Sequence, residues 1–219
     1  MRLWICILTL SFALPAAAQT SIAYADADSL ARWQQHYKQE FLLDKRAPLK
    51  AGDTAFLRFY PYNSHHAYYA AKVKLTPEAQ PFLMATHSGK TKRFRQYAIV
   101  KCVPHHGFLG LTPAFMLNGV FKVRLYQSLS ADSDSARDDA LFLPFYDHTN
   151  GVTTYGGGRY LDLHISDIHN GRVNIDFNHA YNPWCAYKEG YNCPIPPKEN
   201  GLDIRMEAGE MMYAGPHKE

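Results

Sequence analysis

The chain reads as a mainly β protein, an antiparallel barrel or sandwich with one N-terminal helix. Several short runs alternate apolar and polar residues, the period of a strand with one buried face. Four Asn-Gly dipeptides, Asn118-Gly119, Asn150-Gly151, Asn170-Gly171 and Asn200-Gly201, mark tight turns between those runs, because both residue types tolerate positive φ. Only one stretch repeats at helical spacing, and it lies near the start.

That helix is carried by Leu30, Trp33, Tyr37 and Phe41, with Asp28 placed to cap it. The alternating runs are Phe121–Tyr126, Leu161–Ser166, Val173–Asn178 and Leu202–Glu207. In each, aliphatic or aromatic residues take every second position. Further strands are expected at Ala55–Tyr60, Tyr68–Leu75, Gln96–Val103 and Ala140–Phe145. Ser130–Asp139 is polar and acidic and reads as a surface loop.

Residues 1–18 are expected to leave the chain. Arg2 precedes an apolar run, Leu3–Leu14, which is shorter than the roughly 20 residues a bilayer demands. Pro15 breaks the run, and Ala16-Ala17-Ala18 supplies the small residues of a signal-peptidase site. Residues 19–219 then form one β-rich domain, exported to a periplasmic or extracellular compartment. No second apolar run there is long enough to span a membrane. The net charge of +3 is small and its basic residues are scattered, which argues against nucleic acid.

Cys6 departs with the leader. Cys185 and Cys193 are then the natural disulfide pair, closing a loop that the chain-entropy account values at about 2.6 kcal/mol. Zinc thiolates are the alternative, but the close two-residue cysteine pair of zinc sites is missing. Cys102 sits in an apolar run and reads as a buried thiol. The histidine doublets His65-His66 and His105-His106 read as loop residues, so no metal site is assigned and no cofactor is identified.

Polar residues converge in the last third. If Tyr160–Ile165 and Val173–Asn178 formed a hairpin with a shared apolar face, Asp162 would lie opposite Asp176 and His164 opposite Asn174. Two carboxylates so close would need a shared proton, a cation or an arginine, an arrangement suited to acid–base work. The plainer alternative is a solvated face where they splay apart. Tyr155-Gly156-Gly157-Gly158-Arg159-Tyr160 is either an anion cradle or a bulge before a strand. It is not a dinucleotide fingerprint, since no helix pattern follows. Asn178 and Asn182 suit loop bracing, while His179 and Tyr181 are candidates to face a pocket.

The blocks LFLPFYDHTNGVTTYGGGRYLDL, VNIDFNHAYNPWCAY and CPIPPKENGLDI, with EAGE after them, resemble a bacterial family called domain of unknown function 1684. A weaker likeness covers Tyr37–Tyr97, and Pro104–Met116 departs from the pattern. The resemblance implies one domain and a bacterial, often exported, protein. It brings no reaction, cofactor or partner. Positions that coincide with the family pattern include Tyr155, Arg159, Tyr160, Asp176, Asn178, Tyr181, Asn182, Cys185, Cys193, Glu199, Asn200 and Glu210.

Three functions follow as expectations. The first is a binding module for a small polar or anionic ligand, built from Tyr155, Arg159, Tyr160, Asn178, Tyr181, Asn182, Glu199 and Asn200. An aromatic content of 14% supplies stacking surface for it. The second is a hydrolase-type enzyme using Asp162, Asp176 and His164, with or without a metal. The third is a structural envelope protein.

Overall fold

The computed structural model describes residues 26–104, 120–131, 133, 135–136 and 138–218. The leader, Cys6, Asn118-Gly119 and His105-His106 lie outside them. The helix, α1, runs Ala27–Leu43 and buries Leu30, Tyr37 and Phe41. Its cap is Asp26 rather than Asp28: the Asp26 carboxylate accepts the Ser29 N–H at 2.7 Å.

Among the described residues seven strands follow: β1 (Ala67–Leu75), β2 (Phe82–Ala85), β3 (Thr91–Cys102), β4 (Phe121–Ser128), β5 (Ala140–Phe145), β6 (Arg159–His164) and β7 (Arg172–Asp176). They form one sheet in the order β6-β5-β4-β3-β1-β7, and β2 joins the first half of β3. Every pairing is antiparallel. The sheet curls into a half-barrel. Two irregularities in register assist the curl, because a bulge bends and twists a strand. One lies between Gln96 and Ala98 and the other between Tyr68 and Ala71, where Ala70 takes φ +49°.

The concave face holds the main core. Tyr68, Val100, Val123, Leu125, Leu141, Leu143, Phe145, Leu161, Leu163 and Ile175 meet there, and Phe177, Leu202 and Met206 close it. Each such side chain contributes about 1.5–3 kcal/mol of burial. Cys102 is a buried free thiol in this core, and burial pushes it up to about 12. Asn170 and Gly171 both take positive φ, the turn expected of that dipeptide.

Three sequence expectations are overturned. β6 and β7 do not pair: β6 bonds to β5, with Asp162 opposite Phe142, and β7 bonds to β1, with Asp176 opposite Ala67. The cause is local. A short 3₁₀ turn at Ile165–Asp167, closed by the His164 N–H on Asp167, takes the chain off the β6 line. The facing Asp162/Asp176 pair therefore does not form. Leu202–Glu207 is no strand either. Leu202 and Met206 are buried, yet their backbone bonds go to Tyr146 and to the Asp147 side chain rather than to a ladder. Ala55–Tyr60 begins in a 3₁₀ turn, Asp53–Phe56, and only Phe59 makes a bridge. β2 is a strand that alternation did not announce.

Candidate functional site

On its convex side β6 presents Tyr160, Asp162 and His164, while Leu161 and Leu163 point into the core. α1 lies against this side. A groove of about 1130 Å³ runs between them. α1 supplies Trp33, Tyr37, Glu40 and Phe41, and the residues just after it supply Lys45 and Arg46. The loop after β7 supplies His179, Tyr181 and Trp184. The loop is held by the Cys185–Cys193 disulfide, with Cα atoms 6.3 Å apart.

The aromatic groups are ordered by each other. Trp33 stacks on Tyr37 at 5.3 Å and meets His179 edge-on at 5.0 Å. Tyr181 packs edge-on to Tyr160 at 5.8 Å, and Trp184 to Tyr191 at 5.2 Å. Such rings bury large areas and fix one another's planes.

Asp162 sits among them. Its Oδ2 accepts the Tyr181 hydroxyl at 2.6 Å. The residue is open to the groove, but protein crowds its carboxyl closely enough that desolvation raises it above the ordinary carboxylate value. The Tyr181 bond and the nearby His164 work against that rise. Several basic side chains on the groove wall have carboxylate partners. Arg46 grips Asp44 at 2.7 Å and holds its carboxyl down to about 2. His164 lies 3.4 Å from Asp139, and His179 lies 3.4 Å from Asp176.

Beneath α1 a second polar cluster is sealed from water. Glu210 is fully buried, and its carboxylate accepts bonds from Tyr187 (2.7 Å), Tyr37 (3.1 Å) and the Asn182 N–H (2.8 Å). Burial pushes Glu210 up to about 7, against the pull of those hydrogen bonds.

The residues proposed from sequence therefore divide. Asp162, His164 and Tyr181 line the groove, and Tyr160 lies beside them. Arg159 does not reach it. Its guanidinium is fully buried, bonds Asp147 at 2.9 Å and the Met206 carbonyl at 2.7 Å, and also bonds the Ala208 carbonyl. The triple glycine serves the same packing. Gly158 takes φ +88°, and a Cβ there would meet the Phe145 carbonyl at 2.8 Å. Asn178, Asn182 and Asn200 are likewise fully buried and tie loop backbones together. Tyr155 is half-buried against His87, and Glu199 is exposed with its carbonyl bonded to Arg124. Asp176 stands behind His179 and caps the turn through Asn178.

Trp33, Tyr37 and Trp184 escaped sequence reasoning as groove residues. The available signal was the aromatic character of a helix face that aliphatic residues would have packed as well. Among the described residues, no cluster of three or more His, Cys, Asp and Glu side chains is arranged to hold a metal, and no helix is long and apolar enough to cross a membrane.

An uncharacterized protein from Haloarcula marismortui, known from its solution NMR structure, shares the fold. The TM-score is 0.58 at 23% identity, over 84% of this chain and 95% of that one. No curated protein matches the chain. The family model described as Protein of unknown function (DUF1684) matches residues 54–211, which include β6, the Asp162 carboxylate and the disulfide loop, and the chain belongs to that family.

Proposed function

We propose that the groove between α1 and β6 binds a small polar ligand of sugar-like chemistry. The observation that carries this reading is Asp162, a solvent-facing carboxylate held by Tyr181 amid Trp33, Tyr37 and Trp184. Rings stack on the apolar faces of a sugar, and a carboxylate accepts its hydroxyls. The central carboxylate disfavours an anion, with Glu40 and Asp44 on the same wall. Export fits the leader-like residues 1–18 and the disulfide. Tryptophan fluorescence titration with glucose, N-acetylglucosamine and glucuronate tests the reading. The neutral sugars should quench or shift emission and glucuronate should not; response to glucuronate alone would overturn it.

A hydrolytic role is the second reading, favoured by the raised carboxyl of Asp162. It rests on Asp162 and His179, which both line the groove, with His179 beside Asp176, in place of two facing aspartates. If it holds, the parent cleaves neutral glycans and Asp162→Asn, at saturating glycan, does not, as read by mass spectrometry of the products.

A further inference from the structure

A second hollow of about 470 Å³ lies on the other side of Asp162, over β5 and the disulfide loop. Its wall shares Asp162, Tyr181 and Trp184 with the first groove. Beyond that shared ridge it has its own rings, Phe142, Tyr160 and Tyr191. Phe142 meets Tyr160 at 4.7 Å and stacks on Phe94 at 5.6 Å, so its plane is fixed.

We infer that the two hollows are subsites of one groove that takes a neutral glycan chain, with Asp162 at the junction. This rests on the sugar-binding reading above. The first hollow alone, at about 1130 Å³, exceeds the usual small-ligand pocket of roughly 300–1,000 Å³. A single sugar ring leaves most of it empty. A chain of rings uses both platforms, and it crosses the ridge at the carboxylate best placed to accept its hydroxyls. Tyr181 fixes that carboxylate from one side through Oδ2. Trp184 lines both hollows, so one residue serves two successive units.

The subsites are independent in one respect that can be measured. Phe142 lines the second hollow and not the first, and Trp33 lines the first and not the second. The test is isothermal titration of the full chain with glucose and N-acetylglucosamine oligomers, β-1,4-linked, from monomer to hexamer. Affinity should rise about tenfold or more from the short to the long oligomers, as added stacking contacts require. Phe142→Leu should abolish that rise and leave short-oligomer affinity within about twofold. Circular dichroism checks that the variant is folded. Trp33→Leu should weaken every length. Affinity independent of length, with monomers still bound, overturns the two-subsite inference and leaves the single-ligand reading standing. No binding at any length overturns both.

Discussion

Asn200 is fully buried and makes three hydrogen bonds: it accepts the Arg124 N–H at 2.8 Å and donates to the Arg124 and Pro144 carbonyls at 2.9 and 2.8 Å. Asn200→Ala strands all three partners, so it should cost about 2–4 kcal/mol in urea unfolding. Its neighbour Glu199 is exposed, and Glu199→Ala should stay within about 0.5 kcal/mol. Asp162 is the opposite case, a polar group whose partner is a tyrosine at the edge of open space. The Tyr181 bond lowers the Asp162 carboxyl against its desolvation. Tyr181→Phe removes that bond, so the carboxyl should titrate at higher pH than in the parent, as followed by carboxyl-carbon NMR. An unchanged titration would show that the hydroxyl does not hold the carboxylate in solution. Sequence alone singled out both residues but could not tell them apart. Short polar side chains look the same whether they brace a buried loop or line a groove, and the difference lies in what packs over them. For Asn200 that is the convergence of β4 and β5 on one loop, and for Asp162 it is a helix more than a hundred positions earlier.

Elements were legible where their signal is local. β4, β6 and β7 fall on runs read from alternation, and β1, β3 and β5 fall on further strands that were expected, with β5 at its expected bounds. The pairing of β6 with β7 was misread because alternation fixes which face a residue takes and says nothing of which strand lies beside it. Proximity in sequence favoured a hairpin, and the 3₁₀ turn at Ile165–Asp167 sent the two strands to opposite edges. Leu202–Met206 shows a related limit: period two survives in an irregular segment whenever a core residue must be buried at each end of it. The disulfide loop is the element on which the groove wall depends. Its closure constrains the unfolded chain, and replacing Cys185 and Cys193 by serine should cost about 2.6 kcal/mol of stability. The variant should also bind sugar more weakly, because Trp184 and Tyr191 flank the bridge. Thermal melts with and without reductant check the first part, and an unchanged melting temperature would contradict it.

Over the whole molecule, the Glu210 cluster joins α1, the disulfide loop and the C-terminal segment through Tyr37, Tyr187 and Asn182. Its proton is a term in global stability. The carboxyl sits near 4.5 when unfolded and about 7 when folded. The folded state therefore binds the proton more tightly, and the resulting stabilisation is complete below pH 4.5 and lost as pH rises through about 7. The loss is on the order of 3 kcal/mol. Glu210→Gln should flatten this part of the profile relative to the parent, measured as urea midpoints from pH 4 to 8. Equal slopes in the two proteins would refute the assignment. Because Tyr37 both bonds Glu210 and lines the groove, the same proton bears on how firmly α1 is seated beside the ligand site.

The claim that the groove between α1 and β6 is the binding site can be tested without knowing the ligand's full structure. The chain has three tryptophans; two of them, Trp33 and Trp184, line this groove, and Trp4 falls within residues 1–18, outside the described residues. Indole N–H resonances in a ¹⁵N-labelled sample therefore report on the site directly. On addition of cellohexaose, both groove indoles should shift in a saturable manner in the parent, with the shifts lost or weakened about tenfold in Asp162→Asn. Saturable binding that leaves both indole signals in place would contradict the account by locating the ligand elsewhere.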